Sequence, residues 1–95
     1  MMSLITGKFD ISEHLKTDED IQGFLHEVAE TGNVSDLIHA LNIAARAKGI
    51  SEVAIKTGVT RDSLYKSLSE NGNPGFETII NIVKAFGCRL AIVNP

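Results

Sequence analysis

An all-α fold is predicted by three observations. Apolar residues recur at helical spacing in successive segments: Ile21, Phe24, Leu25 and Val28, then Val34, Leu37, Ile38, Leu41, Ala44 and Ala45, then Phe76, Ile79, Ile80, Val83 and Phe86. Helix start and stop residues punctuate these runs. Between them, residues 51–68 read as two short helices joined by a tight turn. Ala54, Gly58 and Leu64 fall where a helix-turn-helix needs a small residue, a turn glycine and a buried apolar anchor.

Taken in order, Asp10-Ile11-Ser12-Glu13-His14-Leu15 predicts one helical turn, with Ile11 and Leu15 four apart. Thr17-Asp18-Glu19-Asp20 is a helix start: a threonine cap, acids in the first turn, and an acid three residues after the cap. Gly32 stops that helix by permitting a left-handed residue. Asn33 caps the next, Arg46 and Lys48 suit its negative C-terminal end, and Gly49 terminates it. Ser51 and Thr60 are read as the caps of the two short helices, with Ile50 just ahead of the first cap. Asn71-Gly72-Asn73-Pro74-Gly75 is a loop, and Gly87 ends the last helix.

The closing segment differs. Cys88-Arg89-Leu90-Ala91-Ile92-Val93 is too brief for a helix and β-branched toward its end, so it predicts a short C-terminal β-strand. No other segment offers it a partner, and an unpaired strand leaves backbone N–H and C=O groups unsatisfied. Leu90, Ala91, Ile92 and Val93 are therefore expected to pair with the same strand of a second copy across a two-fold axis. An extended tail packed on the helices is the alternative. The expected organisation is a single domain over 1–95: an acidic N-terminal helical extension (1–32), a helix-turn-helix core (33–87) and a dimerisation strand (88–95).

Ninety-five residues make one domain, and at 43% hydrophobic the chain buries a small core. The single cysteine, Cys88, has no internal disulfide partner, which fits a reducing compartment. The first residues form too short an apolar run for a signal peptide, and no run reaches the length of a membrane span, so a cytoplasmic protein is expected. The net charge of −3 argues against nucleic acid until its distribution is considered. Residues 1–33 carry two lysines against seven acids, whereas residues 34–95 carry seven Lys/Arg against five acids. From Arg46 to Lys66 there are five bases and two acids, enough for a local basic face, though long-range steering would be weak.

On the segment 60–69, Leu64 and Leu68 point inward, leaving Arg61, Asp62, Tyr65, Lys66 and Ser69 outward. Arg61, in the first turn, suits the O6 and N7 of a guanine; Lys66 suits a guanine or a phosphate. Tyr65 could place its hydroxyl on a phosphate or its ring on a thymine methyl, and Asp62 could accept from a cytosine amine or merely stabilise the helix dipole. Thr60 and Ser63 share this face. Ser51 and Thr60 lie where free N–H groups receive phosphates, and Asn71 and Asn73 are loop residues able to donate to the backbone. A charged surface face is more often merely solvated, and the joint presence of these residues is what favours contact.

A catalytic or metal site is not expected. His14, His26 and His39 stand 12 and 13 residues apart, Cys88 is alone, and no glycine-rich phosphate loop is present. No cofactor is implied.

The order of elements resembles the Cro/repressor-like (XRE) DNA-binding family, with its five-helix, lambda-repressor-like domain. More narrowly, the chain is similar to the addiction-module antidote proteins, the HigA-like antitoxins. The likeness rests on Phe9-Asp10 leading into Glu13-His14-Leu15-Lys16-Thr17 and Asp18-Glu19-Asp20-Ile21, on Ile43-Ala44-Ala45-Arg46-Ala47-Lys48-Gly49, and on Thr57-Gly58-Val59-Thr60-Arg61-Asp62-Ser63-Leu64-Tyr65-Lys66. Gly72-Asn73-Pro74, Phe76-Glu77-Thr78 and Gly87-Cys88-Arg89-Leu90 complete it. It departs from the family pattern at Ser67, where Ala or Leu is more usual, and at Ile55, where an exposed polar residue is usual. The resemblance implies a homodimer on a palindromic operator in double-stranded DNA, repression of its own operon, and a complex with a RelE/HigB-like toxin. The acidic stretch Glu13 to Glu30 is the expected toxin-facing surface. A stand-alone or phage-derived regulator without a toxin is the competing reading, and an interaction module that no longer binds DNA is a third.

Overall fold

The computed structural model describes residues 11–69 and 72–94. A 3-10 turn at Ile11–His14 leads into α1 (Asp18–Glu30), α2 (Val34–Lys48), α3 (Ile50–Thr57), α4 (Arg61–Ser67) and α5 (Phe76–Ala85). The described residues are thus helical and loop, as the periodicity predicts. No helix among them is long and apolar enough to cross a membrane.

The caps explain where the first two helices begin. Thr17 accepts from the Asp20 N–H at 3.1 Å while the Asp20 carboxylate accepts from the Lys16 and Thr17 N–H groups, closing a capping box. Asn33 accepts from the Asp36 N–H at 2.9 Å. The third expected cap is corrected. α3 begins at Ile50, not after Ser51, and its cap is Gly49 with no side-chain hydrogen bond. Gly49 also ends α2, its N–H donating to the Ala45 carbonyl and its own carbonyl accepting from Val53. One residue at φ 112° serves both helix ends, so no position remains for a separate serine cap. Ser51 lies exposed in the first turn of α3.

α2 is the central helix, packed against α1 and the 3-10 turn on one side and α3 on the other. It therefore buries Ala40 and Ile43 as well as Leu41, Ala44 and Ala45, more than the single stripe the spacing gives. Val34, expected in that stripe, is 70% exposed, since it stands at the first position, beyond the packed region. Phe76 is corrected likewise: it opens α5 at 72% exposure, and the buried residues of that element are Ile82, Val83, Ala85 and the capping Phe86. Ile21, Leu25 and Val28 of α1 join the same core as Leu64, Leu68 and Ile82.

Two long-range contacts fix α1 to the rest. The Gln22 amide donates to the Phe86 carbonyl at 2.8 Å, taking up an acceptor at the end of α5. The Lys48 ammonium, largely shielded from solvent, lies 2.7 Å from Asp18 and 3.6 Å from Glu52, which also pairs with Lys56 at 3.3 Å. That ammonium holds the Asp18 carboxyl below the usual range, and Asp18 in turn raises Lys48. Beyond α5 the Cys88 N–H donates to the Val83 carbonyl at 3.0 Å, and burial pushes the Cys88 thiol up. Residues 88–94 then carry neither helix nor strand. The expected strand is not formed, and the described residues offer no second strand for its ladder. Ile92 is 101% exposed, and Leu90 and Val93 are exposed as well.

Thr17→Ala should cost about 1 kcal/mol in urea unfolding at neutral pH. The hydrogen bonds from Lys16 and Thr17 keep the Asp20 carboxyl below the usual aspartate range, so its contribution is present above the unfolded value and lost as pH falls through the folded one. The stability gap between wild type and Asp20→Asn should be open at pH 7 and should close as pH drops below about 4.

Candidate nucleic-acid interface

α4 has seven residues, far too few for a helix to persist alone in water. Its inner face supplies the hold: Leu64 is 0% exposed and Leu68 is buried after it. Gly58 turns the chain in the left-handed region (φ 78°), and its N–H donates to the carbonyl of buried Ala54, as the motif spacing predicts. Thr60 caps α4: its Oγ1 accepts from the Ser63 N–H at 3.1 Å, and its hydroxyl donates to Ser63 Oγ at 2.9 Å. The other end is closed by three donors. The Asn42 amide on α2 reaches the Leu68 carbonyl at 3.1 Å, the Ser69 hydroxyl meets the Lys66 carbonyl at 2.8 Å, and the Gly72 N–H meets the Ser69 carbonyl at 2.8 Å.

With both ends and the inner face fixed, the outer face is presented to solvent. Arg61, Asp62, Ser63, Tyr65, Lys66 and Ser69 are exposed, as is Thr60. The Arg61 guanidinium lies 6.0 Å from the Tyr65 ring centroid, at the outer limit of a cation–π contact. Among the described residues, neither Arg61 nor Lys66 forms an ion pair with a carboxylate. The basic surplus between Arg46 and Lys66 is smaller than the sequence count, because Lys48 and Lys56 are engaged with Asp18 and Glu52. What faces outward on α4 is therefore Arg61 and Lys66 with Asp62 between them.

The structure brings Thr60, Arg61, Asp62, Ser63, Tyr65 and Lys66 together on one short helix and its cap. Ser51 is on the neighbouring α3, Asn73 is exposed in the loop before α5, and Asn71 lies outside the described residues. Leu90, Ala91, Ile92 and Val93 form the exposed tail, away from α4 in sequence and in secondary structure. Ile55, on α3, is exposed as well.

Two residues that shape this face were not legible as such. Asn42 is a polar residue set between buried Leu41 and Ile43, which was the available signal that its amide serves an internal acceptor. Gly72 is held against the end of α4: a Cβ there would collide with the carbonyl oxygens of Lys66 and Ser67. The loop composition announced a turn but not this close approach. Among the described residues, no group of three His, Cys, Asp or Glu side chains could hold a metal ion.

Residues 5–94 match the family model described as "Probable addiction module antidote protein". A relative from Haemophilus influenzae, named "Uncharacterized protein", is 38% identical over 84 residues, covering 88% of this chain and 87% of the relative. No solved structure matches the chain.

The division between inner and outer faces of α4 sets opposite expectations. Leu64→Ala should cost about 2–5 kcal/mol in chemical unfolding, whereas Arg61→Ala and Lys66→Ala should each stay within about 0.5 kcal/mol of wild type.

Proposed function

The chain belongs to the family of probable addiction module antidote proteins, and on that premise we propose that it is the antitoxin of a toxin–antitoxin module that also represses its own operon. Membership in an antidote family implies a toxin partner, and a RelE/HigB-like toxin is the one proposed. The repressor half of the reading rests chiefly on one observation: a helix too short to stand alone is anchored by Leu64 and Leu68 and capped at both ends, while its polar face is left open.

Seven helical residues span about 10 Å, which fits a major groove about 12 Å wide. In that groove Arg61 is assigned to a guanine edge and Lys66 to a guanine or phosphate. Tyr65 and Asp62 are placed beside them, on a thymine methyl or phosphate and on a cytosine amine respectively. Thr60, Ser63, Ser51, Asn71 and Asn73 are assigned to the phosphate backbone, fixing register rather than sequence. A single module of this size offers few contacts, so the proposal includes a homodimer on a palindromic operator, its half-sites about one helical turn apart. The exposed apolar side chains Leu90, Ile92 and Val93 support pairing of the C-terminal segments of two copies. The chain is assigned no catalytic role, and its place of action is the cytoplasm, with its operon.

A mobility-shift titration on the chain's own promoter tests the reading. Arg61→Ala should lose about 1–3 kcal/mol of preference at one position of each half-site, and Lys66→Ala should flatten the salt dependence by about one unit of slope if it meets phosphate. Promoter binding unchanged by both substitutions would refute the assignment of this face. Deleting residues 90–95 should produce a monomer in analytical ultracentrifugation and a weaker operator complex; an intact dimer would rule out pairing through the tail.

A further inference from the structure

The two ends of α4 are held differently. Its start is fixed by the chain next to it: Gly58 turns out of α3, and Thr60, two residues on, caps the helix on Ser63. Arg61 follows as the first helical residue. The far end, with Lys66 in its last turn, lies about 10 Å away. Three donors close that end, and they do different things. The Ser69 hydroxyl on the Lys66 carbonyl and the Gly72 N–H on the Ser69 carbonyl come from the same stretch of chain, so they shape the end and travel with it. The Asn42 amide comes from α2, 26 residues away, and reaches the Leu68 carbonyl at 3.1 Å. Asn42 is half-buried between buried Leu41 and Ile43, so it is rooted in the central helix. The buried Leu68 side chain also anchors this end, but apolar contact has no preferred direction, whereas a hydrogen bond has one. Leu68 therefore sets the depth of the end, and the Asn42 bond sets its tilt.

We propose that Asn42 is a positioning residue for DNA binding: by tying the end of α4 to α2, it holds Lys66 where its ammonium meets a phosphate. The proposal rests on the repressor reading and adds to it a residue that acts from behind the recognition face. A helix pinned at Thr60 and released at Leu68 swings about its start. A tilt of about 10° leaves Arg61 nearly in place and carries the far end by roughly 2 Å, enough to break a hydrogen-bonded contact there. Loss of the Asn42 amide then falls on Lys66 and spares Arg61.

Asn42→Leu keeps the bulk of the side chain and removes its donor; Asn42→Ala serves the same test if the larger residue does not fold. Wild type, the Asn42 variant, Lys66→Ala and the double variant are titrated by fluorescence anisotropy into the promoter duplex and a scrambled duplex. The titrations span a salt series, at a temperature where circular dichroism shows each protein folded. The Asn42 variant should bind the promoter about tenfold more weakly and flatten the salt dependence by about one unit of slope, as Lys66→Ala does. The double variant should be no weaker than Lys66→Ala, because both changes remove one contact. Base preference at the position assigned to Arg61 should survive. Wild-type affinity and slope in a folded Asn42 variant would overturn the positioning role while leaving the repressor reading intact. So would losses that multiply in the double variant, or a base preference lost with the amide. A Lys66→Ala protein that binds like wild type would remove the contact through which Asn42 acts, and the proposal with it. A wild-type chain that does not prefer its promoter to the scrambled duplex would overturn the repressor reading itself.

Discussion

The burial of Leu64 and Leu68 is the constraint on which the exposed chemistry depends. A seven-residue helix has too few internal hydrogen bonds to repay its own nucleation, so its conformation is imposed from outside. The two leucines fix its rotation about its axis, the Thr60 hydroxyl fixes where it starts, and the Asn42 amide and the Gly72 approach fix where it stops. Rotation, start and stop together determine which side chains face out. The positions of Arg61 and Lys66 are thus products of core packing, although neither residue belongs to the core.

Charge is sorted along the same lines. The acids of α1 and the bases near α3 meet at the Asp18–Lys48–Glu52–Lys56 network, which consumes part of the basic surplus. With Asp18, Glu52 and Lys56 about half exposed, pairs of this kind stabilise little even though the Lys48 side chain is shielded. Their effect is on the surface potential: Lys48 and Lys56 are neutralised locally, whereas Arg61 and Lys66 are not. In a chain of net charge −3, Arg61 and Lys66 thus stay unpaired on α4 among the described residues, while five of the carboxylates lie on α1.

Most of the helices were legible because each carries a local signal. Capping residues placed the starts of α1, α2 and α4, and the spacing of apolar residues identified α1, α2 and α5. The inward assignment of Leu64 and Leu68, and the outward one of Arg61, Tyr65 and Lys66, followed from the same periodicity. What escaped was set by neighbours distant in sequence. Ser51 has the chemistry of a cap, but Gly49 already joins α2 to α3, and no local pattern reports that the junction is one residue long. Ala40 and Ile43 are buried because α2 is flanked on two sides, a fact of assembly rather than of its own stripe. Phe76 and Val34 fit their periodic rows but fall at helix ends beyond the packed region. The tail's β-branched residues find no ladder partner among the described residues, and local composition alone does not make a strand.

The acidic N-terminal helix is not an appendage. Ile21, Leu25 and Val28 share one apolar cluster with Leu64, and Gln22 is bonded to the far end of α5. Elements sharing one core tend to melt as one cooperative unit. Any ligand seated on α1 then raises the thermal midpoint of α4 too, by mass action alone and without a change of shape. Each binding event would protect the other's surface from unravelling, so occupied molecules of either kind should outlast empty ones wherever turnover depends on global opening.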